Sequence, residues 1–159
     1  MFFSVILLHP VTARAAKLVI PYLSGASGDE VEIPVKVQQI DNLAGIKLVL
    51  SYDKSALTYV KAVKAEAASS LMHVVNDKQP GRLIIVMAGA RGIKGKELTL
   101  MTLVFTVNPD LDESIKKTKI TVKEIQVMDD RLKEVPCEIK SGGISIVRPQ
   151  KAGKLHGDK

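Results

Sequence analysis

The chain has 159 residues, a formal net charge of +6 and a single cysteine. This length indicates one domain with a core large enough to fold without disulfide bonds, and one thiol excludes an intrachain disulfide. Cys137 alternates with Val135 and Ile139 along the chain, which favours a small buried side chain over a nucleophile.

The two ends of the chain differ from the middle. Residues 2–8 form an apolar run too short to span a bilayer, and Ala13-Arg14-Ala15 follows it at the spacing of a signal-peptide cleavage site. We therefore predict a signal peptide at residues 1–15 and an extracellular or periplasmic protein, with a buried first strand as the alternative. A domain is expected at residues 16–148. Residues 149–159 have no apolar period, and we expect a basic disordered tail there.

Residues 31–37 alternate apolar and polar side chains, the period of a strand with one face on a core. That apolar face holds Val31, Ile33, Val35 and Val37. Pro34 donates no ladder hydrogen bond, so we expect it at a sheet edge or with its nitrogen pointing outward. Residues 46–52 repeat the alternation, and a turn-rich interval at 41–45 predicts that the two strands are separate.

Further segments have strand character, and turn signals separate them. These are residues 57–63, 82–88, 98–107, 119–127, 135–139 and 144–147. A short helix is predicted at residues 65–71 and a single turn at 53–56. Many short strands with little helix predict an all-β fold, as an antiparallel two-sheet sandwich or a barrel.

Two of these strands change phase along their length. Leu98 and Leu100 occupy even-numbered positions. The apolar residues that follow, Met101, Leu103 and Phe105, occupy odd-numbered positions, so the apolar face shifts by one residue. Residues 120–127 shift in the same way. A shift of one residue in a period of two is what a β-bulge produces, so we predict a bulge in each strand.

The strand at residues 82–88 is apolar on both of its faces. One face holds Leu83, Ile85 and Met87, and the other holds Ile84, Val86 and Ala88. A two-layer sandwich buries only one face of a strand, so a loop or the 65–71 segment covers the second face, or that face belongs to an exposed interaction patch. We predict that Ile85 and Met87 are on the outward face.

The sequence contains no pattern typical of a catalytic or metal-binding site. His9, His73 and His156 stand apart, and no His, Cys or carboxylate pair has metal-ligand spacing. Residues 89–97 are rich in glycine but fail the phosphate-loop spacing and precede a strand, which predicts a hairpin connection. We therefore expect no enzyme activity, no metal and no cofactor on this chain.

Recognition of sugars or nucleic acid by stacking is not indicated either. The chain has no tryptophan, and the alternation of their strands places Tyr52 and Phe105 on the side that faces the core. A flat aromatic platform is therefore not expected. We predict no nucleic-acid partner and no membrane span.

The opening strands resemble those of the cohesin domain family, which read G-D-x-V-x-I-P-V-x-V, then a glycine and an apolar strand ending in Tyr-Asp. The matching residues are Gly28, Asp29, Val31, Ile33, Pro34, Val35, Val37, Gly45, Tyr52 and Asp53. The likeness runs from about Lys17 to Val147 and includes Gly81, Phe105 and the glycine pair at 142–143. It covers core and turn positions, so it supports the fold better than the function.

The resemblance implies a nine-stranded jelly-roll sandwich without catalytic activity. It implies that the chain binds a dockerin, a small helical module that carries calcium itself, in an extracellular assembly for polysaccharide breakdown. The family's docking strands would here present Lys47, Val49, Ser51, Ile85, Met87, Thr121 and Lys123. Lys47 and Lys123 depart from the family, which often carries polar or acidic residues on this face. The alternatives are a carbohydrate-binding β-sandwich module, whose ligand would be a polysaccharide, and a surface-assembly subunit that pairs through a sheet edge.

Overall fold

The computed structural model describes residues 15–149, and this part of the chain is almost entirely β-structure. Its strands are β1 Ala16–Val19, β2 Tyr22–Gly25, β3 Glu30–Tyr52, β4 Leu57–Lys64, β5 Met72–Asn76, β6 Arg82–Val107, β7 Lys117–Met128, β8 Cys137–Lys140 and β9 Gly142–Ile146. One 3-10 helix, Glu66–Ala68, lies within the predicted helical segment. The all-β class is confirmed. Nearly all of the predicted signal peptide and basic tail lies outside the described residues.

The strands form a nine-stranded sheet that curls into two layers, because β3 and β6 are long enough to serve both. The front sheet runs in the order β5, residues 82–88 of β6, residues 45–52 of β3, β7, β9 and β2. The back sheet runs in the order β4, residues 97–107 of β6, residues 30–38 of β3, β1 and β8. Neighbours are antiparallel except β1 with β8 and β2 with β9. The predicted antiparallel sandwich of jelly-roll type is confirmed.

The two places where turns were predicted are crossings between the layers instead. β3 continues through residues 40–45 with its backbone bent at Gln39, which has φ 56°, and β6 continues through residues 89–97. A Cβ on Gly92 would collide with the side chain and backbone of Asn42, so glycine allows the two strands to stay close while both bend. The hairpin expected at 89–97 was therefore wrong. Flexible residue types mark a bend in a long strand as readily as a reverse turn.

The core lies between the inward faces of the two sheets. The alternation of the sequence predicts six residues in the core: Val35, Val37, Leu48, Leu50, Phe105 and Ile146. The first five are at most 1% exposed, whereas Ile146 is only partly buried.

The ring of Phe105 joins the two layers. Phe105 lies in the back sheet, and its ring meets those of Tyr52 and Tyr59 edge to face, with centroid distances of 5.0 and 5.8 Å. Tyr52 ends the part of β3 that belongs to the front sheet, whereas Tyr59 lies on β4. Edge-to-face pairs add stability beyond the area they bury, so this cluster holds the layers together.

Both predicted β-bulges are present. Val35 pairs with Met101 and Lys36 with Thr99, which leaves Leu100 as an extra residue in β6. In β7, Val49 pairs with Glu124 and the next residue pairs with Val122, which leaves Lys123 unpaired. Pro34 pairs with β6 on one side and lies beyond the last β1 pair on the other, so its missing donor breaks no ladder.

Candidate partner-binding face

The outward side of the front sheet, called the front face below, is assembled by strand register. Val86 of β6 lies between Lys47 of β3 and Val74 of β5, and Ile84 lies between Val49 and Asn76. Paired residues project from the same side of a sheet. The outward residues where these four strands pair with one another include Met72, Val74, Asn76, Arg82, Ile84, Val86, Ala88, Lys47, Val49, Ser51, Thr121, Glu124 and Gln126.

An exposed apolar stripe runs along β5 and β6 on the front face. Met72 is 80% exposed, Val74 67% and Val86 41%, and Ile84 beside them is partly buried. Large apolar side chains that are neighbours on one open surface are a common feature of protein-binding sites, whereas isolated ones are normal.

Two residues predicted for this face lie on the opposite side of β6. Ile85 and Met87 are 0% and 1% exposed and belong to the core, so the prediction that they face outward was wrong. The outward residues of the same strand are Ile84 and Val86. Alternation separates the two faces of a strand but does not say which is inward. That choice is made by the register, which aligns Val86 with the polar Lys47 and Ile85 with the buried Leu48.

At the centre of the front face an ion pair lies beside a covered valine. Val49 is 5% exposed but is not part of the core cluster. It lies between Ile84 and Glu124 in the register. Lys47 Nζ donates to Glu124 Oε1 at 2.6 Å, with side chains 42% and 53% exposed. An ion pair this open contributes little to stability, but it neutralises the charge of Lys47 on the face.

The β7 side of the front face is a cationic recess. Lys123, displaced by the bulge, and Arg82 are both exposed, and within residues 15–149 neither forms a salt bridge. Together with Val49, Ser51, the turn at Gln79–Arg82 and Glu124, whose charge is paired with Lys47, they line a cleft of about 420 Å³. Two unpaired cations at the rim of a cleft favour an acidic or carbonyl-bearing group of a partner.

The remaining predicted residues are on the front face but contribute less. Ser51 and Thr121 pair with each other across β3 and β7, and both are partly buried. The structure thus brings Lys47, Val49, Ser51, Thr121 and Lys123 onto one face. The apolar residues that β6 adds to this face are Ile84 and Val86 rather than Ile85 and Met87.

Sequence reasoning missed β5 altogether. Met72 and Val74 are the most exposed apolar residues of the front face, and the sequence analysis assigned no strand there. A signal was available: residues 72–76 hold two adjacent valines before the Gln79-Pro80-Gly81 turn, followed by the apolar strand. Two such runs on either side of a turn are typical of a hairpin.

The potential metal ligands and the single thiol have structural surroundings in the described part of the chain. Residues 15–149 contain no cluster of His, Cys, Asp or Glu that could hold a metal ion. Asp129 instead accepts hydrogen bonds from the backbone N–H groups of Arg131 and Lys133, a turn-forming role. Burial raises the pKa of the Cys137 thiol, which keeps it protonated and poorly nucleophilic near neutral pH.

Aromatic side chains are not arranged as a platform on the front face. Phe105 is fully buried, and Tyr52 and Tyr59 pack against the core. Tyr22 is on β2, where Lys117 Nζ lies 4.2 Å from its ring centroid. Residues 15–149 also contain no helix with the length and hydrophobicity needed to cross a membrane.

Comparison with solved structures identifies the same fold in several proteins. A non-cellulosomal cohesin from Archaeoglobus fulgidus aligns with a TM-score of 0.75 at 19% identity, covering 91% of this chain and 100% of that one. A cohesin in a cohesin–dockerin complex from Clostridium thermocellum aligns at 0.74 and 15% identity, covering 84% and 100%. The solution structure of a protein from Clostridium acetobutylicum aligns with a TM-score of 0.73 at 23% identity, covering 84% of this chain and 91% of that one.

The sequence itself also matches a family. No curated protein matches it, but the family model of the cohesin domain matches residues 16–146. That match spans most of the chain and all of β1 to β9, and it agrees with the resemblance noted at Gly28-Asp29 and Tyr52-Asp53. The chain therefore belongs to the cohesin domain family.

Proposed function

We propose that this chain is a non-catalytic recognition module that binds a dockerin-like partner on its front face. The observation that carries the proposal is the pairing of an exposed apolar stripe with a charged rim on one sheet surface. Met72, Val74 and Val86 form the stripe, and Lys123 and Arg82 lie at the rim. An apolar centre with a polar rim is the usual anatomy of a protein-binding patch. Structural relatives described as cohesin–dockerin complexes support this choice of partner.

The chemistry of the front face constrains the partner. The stripe on β5 and β6 would take an apolar helix face, and the recess beside Lys123 and Arg82 would take an acidic side chain or a helix C-terminus. Calcium is expected on the partner. Lys47 contributes less charge than the sequence suggests, because Glu124 pairs with it.

The proposal is tested first by recovery of a partner from proteins exported by the native host. The full chain is immobilised, and bound proteins are identified after washing in calcium or in chelator. We expect a protein that carries a dockerin module and is released by chelator, because the calcium is part of the partner's fold. Recovery of polysaccharide without such a protein would favour the carbohydrate-binding alternative instead.

The position of the site is tested by a matched pair of substitutions. Val86→Asp should weaken binding by at least about tenfold, because a charge is then desolvated at the centre of the contact. Val63→Asp is the control, since Val63 is 47% exposed against 41% for Val86 but lies on β4 of the back sheet. Equal binding of both variants would place recognition elsewhere on the domain.

The cationic rim is tested by association rate. Lys123→Glu should slow association with an acidic partner several-fold at low salt and have a smaller effect at high salt, because screening removes steering. Lys61→Glu on β4 is the matched control on the back sheet. An unchanged rate for Lys123→Glu would contradict the acidic nature of the partner's contact surface.

We also propose that the module is exported and serves an assembly linked to polysaccharide breakdown. The support is the apolar run at residues 2–8 with small residues at 13 and 15, together with the match to the cohesin domain family. N-terminal sequencing of the protein from its native host should find Ala16 as the first residue. A cytoplasmic product that retains Phe2 and Phe3 would contradict export without affecting partner binding.

A further inference from the structure

The two sheets end in four edge strands, and three of these edges carry features that discourage pairing. On β4 a bulge interrupts the register between Tyr59 and Lys61, and Lys64 caps its end by donating to two backbone carbonyls. The edge strand β8 is only four residues long, and two of them, Glu138 and Lys140, are charged. Short length, charge and bulges are the usual means by which an edge strand avoids another chain.

The third such edge is β2, which is short and enclosed. It spans Tyr22–Gly25 directly after Pro21, and Lys117 covers the ring of Tyr22. Proline at the start of the strand and a lysine above it limit the approach of another strand.

The edge formed by β5, Met72–Asn76, is almost as short, at five residues, but it has no proline, no charged side chain of Lys, Arg, Asp or Glu, and no bulge. Its register with β6 runs from Met72 opposite Ala88 to Asn76 opposite Ile84 without a bulge, and within residues 15–149 β5 pairs only with β6. One side of β5 thus presents regular backbone donors and acceptors that no described strand uses.

This edge is complementary to itself. In an antiparallel pair of two β5 strands centred on Val74, Val74 would meet Val74 and Met72 would meet Asn76, while His73 would meet Val75 on the inner side. One step further out, Leu71 would meet Asp77. No like charges would be opposed, although each chain carries a formal net charge of +6. Opposed valines are a favourable cross-strand pair, and Val74 and Met72 are 67% and 80% exposed in the single chain.

We infer that β5 is a self-association edge, at which two copies of the chain pair antiparallel about a two-fold axis. Such an interface uses the same strand from both copies, so it closes at two and leaves no second β5 edge for growth into a fibre. The front sheets of the two copies would become one continuous sheet, and both front faces would stay open. The inference does not depend on the identity of the partner proposed above.

The test is sedimentation equilibrium of the full chain, without partner, over a wide range of concentration. We expect a monomer–dimer equilibrium and slower hydrogen exchange of β5 amides as concentration rises. A chain that stays monomeric up to its solubility limit would overturn the inference.

Substitutions then separate the edge from the faces. Val74→Lys should weaken the dimer by at least about tenfold, since two lysines would meet at the axis. His73 is also exposed, and His73→Lys is a second variant that should weaken the dimer, because it places a charge on the pairing edge. Val63→Lys on β4 should leave the dimer unchanged, and so should Val86→Lys, because β5 separates Val86 from the second copy. Equal weakening by Val86→Lys and Val74→Lys would show face-to-face association and overturn the edge pairing.

Discussion

The outward sides of the two sheets differ in how their polar groups are used. On the back sheet, Glu97 accepts hydrogen bonds from Lys36 at 3.1 Å and from Gln38 at 2.7 Å, and threonines and glutamates surround this network. On the front sheet one ion pair lies beside an exposed apolar stripe and two cations without salt bridges among the described residues. The back face ties Lys36, Gln38 and Glu97 into one network, whereas the front face combines a single ion pair with a contiguous apolar stripe. The same two long strands, β3 and β6, build both faces.

The sharpest test of this comparison uses adjacent residues of β6. Met87→Asp places a carboxylate in the core and should cost at least about 4 kcal/mol of unfolding free energy, from lost apolar burial and an unpaired buried charge. Val86→Asp on the front face should change stability by no more than about 1 kcal/mol. Urea denaturation followed by circular dichroism measures both. Comparable losses would mean that the front face is covered rather than open.

The contact between the sheets is tested at Phe105. Phe105→Ala should cost about 3–5 kcal/mol, because the ring is fully buried and lies between Tyr52 and Tyr59. The control is Tyr22→Ala on β2, which removes a ring that is 38% exposed and should cost less. Thermal denaturation of the two variants gives the difference. A mild effect at Phe105 would show that the layers do not depend on this cluster.

The crossing that joins the sheets is tested at Gly92. Gly92→Ala should destabilise by about 1–3 kcal/mol, because the added methyl group meets Asn42 on the neighbouring strand and forces the crossing apart. Gly45→Ala serves as the control, since a Cβ there meets its nearest atom at an ordinary 3.5 Å. Denaturant midpoints that are equal for the two variants would show that the crossing accommodates a side chain.

The smallest expected effect concerns acid stability of the back face. Hydrogen bonds from Gln38, and then from Lys36, hold the pKa of Glu97 below its usual 4.5. Because the folded pKa is depressed, the stabilisation is present above the unfolded value and is lost as pH falls through the folded pKa. Glu97→Gln should therefore reduce the dependence of stability on pH below 4.5. Denaturation of the parent chain and of the variant at a series of acidic pH values measures this dependence.

The comparison also separates what could be read from the sequence from what could not. The alternation of Val35 and Val37 and the phase shifts at Leu100 and Lys123 predicted strands, core and bulges correctly, because each depends on neighbours along one strand. The division of β3 at residues 41–45 failed, because a bend in a continuous strand uses the same residue types as a turn. β5 was missed, because it is short and its apolar residues are exposed.

By itself the sequence determined the all-β class, most of the core and the family of this protein, since side-chain alternation and turn residues are local properties. The proposal that Lys47, Val49, Ser51, Thr121 and Lys123 share one face came instead from the resemblance to cohesins, because alternation within a strand does not say which strands are neighbours. Only the tertiary structure decided which side of β6 is buried, because Ile85 and Val86 are equally apolar and only the register with β3 distinguishes them. It also decided that Glu124 neutralises Lys47 and that β5 completes the front sheet, since both contacts join residues far apart in the chain.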